Sequence, residues 1–145
     1  MPHKPEDFIG AWQLIDWRIK YSDRDVTRPF GEDAHGYIVY SADGTMTASI
    51  AKSTRPPFGF ANARNASVDQ KAAAFDSYFH YAGSWRIEGE EVVHAVTLSL
   101  NPDMTGTDQR RLAVFDGLGE LTLSAHEALK YGTNRHHILQ WELLI

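Results

Sequence analysis

His94 is the residue best suited to move a proton. It lies midway along residues 91–100, in step with Val92, Val96, Leu98 and Leu100. The two-residue period of a strand puts those side chains on one face, expected to point inward. An imidazole there can give or take a proton near neutral pH, as a general acid or base must. The plainer alternative is a core histidine hydrogen-bonded to a neighbour. Arg110 and Arg111 are adjacent, so they point to opposite faces of their strand; Arg111 falls in line with Ala113 and Phe115 on the inward side, and Gln109 shares that face. An inward guanidinium either clamps a ligand carboxylate or enolate, or pairs with a buried acid such as Asp16. Tyr40 adds a phenol near a strand end. The expected chemical set is therefore His94, Arg111 and Tyr40.

A second group would shape the space around that set. Trp12, Tyr37, Tyr81, Trp85, Gln109 and Trp141 supply rings and one amide suited to an aromatic or terpenoid guest, although each ring could equally be ordinary packing. Pro56-Pro57-Phe58-Gly59-Phe60 reads as a candidate lid, with Phe58 and Phe60 closing over a cavity mouth; the competing reading is a loop stapled to the rim by its rings. His94, His126 and His136 or His137 could converge only by folding, because no spacing in the chain requires it. No metal site and no cofactor are expected.

The elements that must hold these residues are strands. Turn signals recur between short alternating segments, the pattern of an all-β barrel or sandwich. The first strand covers residues 10–21, with Trp12, Leu14, Asp16 and Arg18 on one face and Ile15, Trp17, Ile19 and Tyr21 on the other. A bulge near Asp16 would invert that assignment. Residues 36–40 and 45–51 form a hairpin across Ser41-Ala42-Asp43-Gly44, where Asp-Gly suits a tight turn. Ser67 and Gln70 form a capping box opening one helix, whose stripe of Phe75, Tyr78, Phe79 and Ala82 predicts a stop near Gly83. Residues 84–88, 91–100, 108–115, 120–125 and 134–145 complete about eight strands. Short turns make neighbours antiparallel, and an up-and-down barrel with one inserted helix is the simplest closure. Eight strands leave room for packed side chains or one small ligand.

Composition narrows the function. The chain has 145 residues, enough for a single domain over 1–145, and aromatics make up 12% of it. A net charge of −5, with no basic run longer than Arg110-Arg111, argues against nucleic acid. With no cysteine, disulfides and thiolate metal sites are excluded. The N-terminal residues are polar and acidic and no apolar run could cross a bilayer, so no membrane partner and a cytoplasmic location are expected. There is no Gly-x-Ser-x-Gly elbow, phosphate loop, dinucleotide fingerprint or His-Glu-x-x-His. Strands apolar on both faces, as at Ile15 and Trp17 against Trp12 and Leu14, or Tyr37 and Val39 against Ile38 and Tyr40, suggest a homodimer.

Six stretches carry a resemblance to a known family. They are Gly10-Ala11-Trp12, Pro29-Phe30-Gly31-Glu32 followed by Gly36-Tyr37-Ile38-Val39-Tyr40, Lys71-Ala72-Ala73-Ala74-Phe75-Asp76-Ser77-Tyr78, Tyr81-Ala82-Gly83, Val93-His94-Ala95-Val96, and Gly106-Thr107-Asp108-Gln109-Arg110-Arg111. In this order the chain resembles the bacterial and fungal lipocalin-like domain proteins over nearly its whole length. The resemblance implies a lipocalin-like β-barrel, with Trp12 packing near a barrel end. It leaves three functions open, since fold does not fix function. The first is binding of a small hydrophobic or aromatic molecule. The second is a cofactor-independent isomerase, cyclase or lyase of natural-product type, with His94 as acid/base. The third is a structural or oligomerising domain without a ligand.

Overall fold

A computed structural model describes residues 2–128 and 134–145. Eight strands close into an antiparallel barrel in which each strand pairs with the next in sequence and the last returns to the first. They are β1 (Gly10–Tyr21), β2 (His35–Tyr40), β3 (Thr45–Ala51), β4 (Tyr78–Glu88), β5 (Glu91–Ser99), β6 (Asp108–Phe115), β7 (Glu120–Ala128) and β8 (Asn134–Leu143), with helix α1 (Val68–Asp76) between β3 and β4. Closure leaves no strand edge unpaired. The turn between β2 and β3 places its positive φ at Gly44 alone, at 91°, where a glycine carries no Cβ to clash.

The helix is shorter than its apolar spacing predicts. The capping box of Ser67 and Gln70 is present, but α1 ends at Asp76 and buries no residue. Tyr78, Phe79 and Ala82, expected on the helix, belong to β4 and pair with Ala51, Ile50 and Thr47 of β3. An aromatic run of this kind satisfies a period of two as well as one of 3.6. Pairing wins because a strand here supplies the ladder partner that β3 needs, whereas a longer helix would leave it unpaired.

Two bulges decide which side chains face inward. In β1 the pairing with β8 skips Ile15, since Leu14 lies opposite Trp141 and Asp16 opposite Gln140. Trp12 and Leu14 are therefore buried before the bulge, Ile19 is buried after it, and Ile15 stays exposed. Asp16 and Arg18 are not interior residues on the Trp12 face: Asp16 pairs with Arg18 and Arg28 near the surface, so Arg111 does not take it as a partner. The second bulge, between Ala82 and Gly83 against β5, ends the inward row of that strand. Val92, His94 and Val96 are buried, but Leu98, expected in line with them, is 65% exposed.

Gly83 allows the close approach at this bulge. A Cβ built there would lie 1.9 Å from the carbonyl oxygen of Ala95, a backbone atom that cannot move aside alone. Gly83→Ala is expected to destabilise the barrel by about 2–3 kcal/mol, as overpacking against rigid backbone does. A urea unfolding midpoint within error of the parent protein would contradict this account of the bulge.

One end of the barrel is plugged by the chain preceding β1. A 3-10 turn over Pro5–Asp7 delivers Phe8, which is fully buried against Tyr40, Trp85 and Phe115. The Trp12 indole donates to the Phe8 carbonyl at 2.8 Å and fastens the plug. His3 adds a main-chain bond to the Gly89 carbonyl and a side-chain contact of 2.7 Å to the Ala113 oxygen. The starts of β1, β3, β5 and β7 and the ends of β2, β4, β6 and β8 meet at this end. Beneath the plug the rings of Trp12, Tyr40, Trp85 and Phe115 pack on Phe8 and on one another.

Candidate functional site

A cavity of about 440 Å³ occupies the half of the barrel away from the plug. Its floor holds Ile38, Ala48, His94 and Trp141, and its walls rise through Tyr81, Leu123 and Leu139 to Trp17, Phe79, Ala125, His126, Glu127 and His137. Met104, Gln109 and Arg111 form the side contributed by β6 and the turn before it. This size falls within the range of small-molecule sites, as does a mostly apolar lining with a few converging polar groups.

The deepest polar feature is a chain of three side chains. The Tyr40 hydroxyl lies 2.7 Å from His94 Nε2, and the Tyr81 hydroxyl lies 2.6 Å from His94 Nδ1. All three residues are 3% exposed or less. Burial pushes the His94 imidazole down to about 3, with the positive charge of Arg111 adding to the effect. Burial also raises both tyrosyl hydroxyls, most strongly Tyr40. The trio is therefore uncharged at neutral pH. A lone, ligand-facing base was one expectation for His94; in the structure both of its nitrogens are already engaged by tyrosines. Tyr81 and His94 border the cavity, whereas Tyr40 lies behind them.

Hydrogen counting gives this chain a direction. Two phenols and a neutral imidazole carry three polar hydrogens, and the two contacts use only two of them. No other hydrogen bond reaches either hydroxyl among the described residues. The surplus hydrogen falls on Tyr81 if Tyr40 donates to Nε2 and Nδ1–H donates to the Tyr81 oxygen. That tautomer is assigned from the surroundings: a surplus hydrogen on Tyr40 would be sealed in the core, while one on Tyr81 can meet whatever enters the cavity.

Trp141 also lines the cavity, but its Nε1 is itself sealed from that space and has no hydrogen-bond partner among the described residues; indoles buried this deeply usually find one. The Arg111 guanidinium donates to the Arg110 carbonyl at 2.8 Å and makes a long 3.5 Å approach to Gln109 Oε1. Among the described residues it has no carboxylate partner. Gln109 in turn donates to Thr107 Oγ1 at 2.9 Å. The acid in the wall, Glu127, is engaged by Arg135 and stands 3.8 Å from His137 Nε2. Burial holds His137 below its ordinary value, outweighing the pull of Glu127.

Of the sequence-derived candidates, the fold gathers His94, Arg111, Tyr81, Gln109 and Trp141 around one cavity, with Tyr40 hydrogen-bonded behind them. The other residues expected at a ligand lie outside this cavity. Trp12 belongs to the plugged end, and Trp85 packs there on Tyr40 while donating to the Ser41 carbonyl. Tyr37 is 55% exposed because it alternates with the inward Ile38. Phe58 lies in a groove against α1, where its carbonyl accepts from Gln70, and Phe60 is exposed. Neither lines the cavity. Sequence reasoning passed over Phe79, Met104, Glu127 and Leu139 as wall residues. Phe79 was misassigned to a helix, and Met104 sits in a 3-10 turn, Pro102–Met104, with no periodic signal. Among the described residues no three His, Asp or Glu side chains are grouped to hold a metal ion.

A family model described as a lipocalin-like domain matches residues 9–143, from the strand after the plug to the end of β8. The chain belongs to the lipocalin-like domain family. The match spans all eight strands, so the whole lipocalin-like barrel, cavity included, falls within the family's boundaries. No curated protein matches this lipocalin-like chain in sequence. A solved structure of a redesigned β-barrel is similar at 9% identity, covering 94% of this chain and 92% of that one with a TM-score of 0.43. No helix among the described residues of the lipocalin-like domain is long and apolar enough to cross a membrane.

Proposed function

We propose that this barrel binds a small hydrophobic or aromatic organic molecule in its interior. The observation that carries the reading is the 440 Å³ cavity, lined mostly by apolar side chains, with Tyr81, His94, Gln109 and Arg111 as polar groups in its wall. An unfilled apolar space forfeits contacts on every wall. A guest that fills the space recovers them. Trp17, Phe79 and Leu139 give its apolar body rings and a branched chain to pack on.

Native mass spectrometry of gently purified protein, read against the denatured mass, tests the reading. The expected result is a discrete extra mass, lost on denaturation, or uptake of one equivalent when an aromatic probe is added to the bare protein. A bare mass that no such probe changes would remove it.

A second reading, cofactor-independent isomerisation, cyclisation or elimination in the same cavity, draws on the Tyr40–His94–Tyr81 chain beside Arg111. A neutral relay can pass a proton in either direction without forming an imidazolium, and the guanidinium can stabilise a developing oxyanion. In this reading Tyr81, rather than His94, faces the substrate. Tyr81→Phe would then leave affinity largely intact and abolish turnover, whereas under pure binding it alters affinity alone.

A further inference from the structure

The cavity's polar groups are unevenly matched, and the imbalance has one sign. Two donor groups belong to lining residues: the Tyr81 hydroxyl, to which the tautomer assigned above gives the spare hydrogen, and the N–H groups that Arg111 does not spend on the Arg110 carbonyl or Gln109. They come from β4 and β6, so no single strand's local geometry explains their convergence. The carboxylate and the amide oxygen in the wall are already engaged. Glu127 is held by Arg135, and the Gln109 oxygen faces Arg111 itself. The uncompensated charge is one guanidinium, which a buried or half-buried site keeps only when an anion answers it.

We infer that the ligand carries an anionic oxygen group, a carboxylate in the simplest case, seated between Arg111 and Tyr81, with its apolar body packed on Trp17, Phe79 and Leu139. The inference rests on the barrel being a binding site and adds the class of the ligand's head group. Charge-assisted hydrogen bonds from guanidinium to carboxylate are the stronger of the two types available here. The phenol hydrogen then restricts which oxygen geometry fits. A cationic head group at this position would meet the Arg111 charge and lose its hydration for nothing in return.

Three probes with one apolar body test the assignment: 2-naphthoate, 2-methylnaphthalene and 2-naphthylmethylammonium, titrated into the full chain by calorimetry at neutral pH. The expected result is that naphthoate binds at least ~10-fold more tightly than methylnaphthalene, the lower end for a hydrogen bond to a charged group, and that the ammonium binds most weakly. Arg111→Gln should then bring naphthoate down to the level of methylnaphthalene while leaving methylnaphthalene itself unchanged. Tyr81→Phe, which keeps the ring, gives an independent and smaller loss for naphthoate alone should the arginine variant fail to fold. Equal affinities for all three probes, or a preference for the ammonium, would overturn the head-group assignment and leave the binding reading standing. Failure of every probe to bind would remove the binding reading and the assignment together.

Discussion

His94→Leu is expected to destabilise the barrel by roughly 3–5 kcal/mol, the largest effect of any conservative-volume change in the interior. The imidazole is the partner of both Tyr40 and Tyr81, and neither hydroxyl has another hydrogen bond among the described residues. Removing it strands two buried hydroxyls, each costing about 1–3 kcal/mol when left unmade. The same reasoning predicts a rescue. The triple variant Tyr40→Phe, His94→Leu and Tyr81→Phe removes every member of the chain, so nothing polar is left unpaired. It should recover to within about 1–2 kcal/mol of the parent, because apolar groups of matching shape replace a satisfied network at little net cost. Urea unfolding of the parent, the single and the triple variant decides the matter. A single variant that loses less than ~1 kcal/mol, or a triple variant no more stable than the single, would show that the three groups do not act as one network.

Acid should destabilise the protein well before its carboxylates titrate. In the unfolded chain His94 takes up a proton near its ordinary value of 6.5, but in the fold burial holds it at about 3. Between those values the unfolded state binds one more proton than the folded state, so stability rises with pH through the window and is fully present above 6.5. Lowering the pH removes ~1.4 kcal/mol per unit, or roughly 4–5 kcal/mol by the bottom of the window if the protein stays folded that far. His136 and His137, both also lowered chiefly by burial, pull in the same direction. The triple variant separates them, because it lacks His94 and keeps the other two. Its unfolding free energy should fall less steeply between pH 6.5 and pH 5, by about 2 kcal/mol over that interval. Parallel slopes for parent and triple variant would mean that His94 is not held neutral by burial.

Both predictions bear on function as well as stability. A histidine kept neutral between two tyrosines costs stability under mild acid, and an uncharged purely apolar core would avoid that cost. The chain's ends differ in what surrounds them: Tyr40 is sealed under the Phe8 plug, and Tyr81 opens on the cavity. A network with one end on the cavity can offer a hydrogen bond there. Arg111 beside it raises the value of an oxyanion at that point.

The sequence by itself determined the strand count, the hairpin at Gly44, and the capping box of Ser67 and Gln70. Each of these is a local property. Turn chemistry, capping and two-residue alternation act over a few residues and need no partner to be legible. Only the tertiary structure decided the rest. The bulge at Ile15 inverted the second half of β1, and the bulge at Gly83 turned Leu98 outward, because an inserted residue is defined by the strand opposite and not by its own sequence. Closure against β3 drew Tyr78 and Phe79 out of the helix. Which rings meet the cavity was likewise a question of barrel end: Trp12 and Trp85 lie by the plug, Trp17 and Trp141 by the open space. Residues as distant in sequence as Tyr40, Tyr81, His94 and Arg111 became one site only because eight strands returned on themselves.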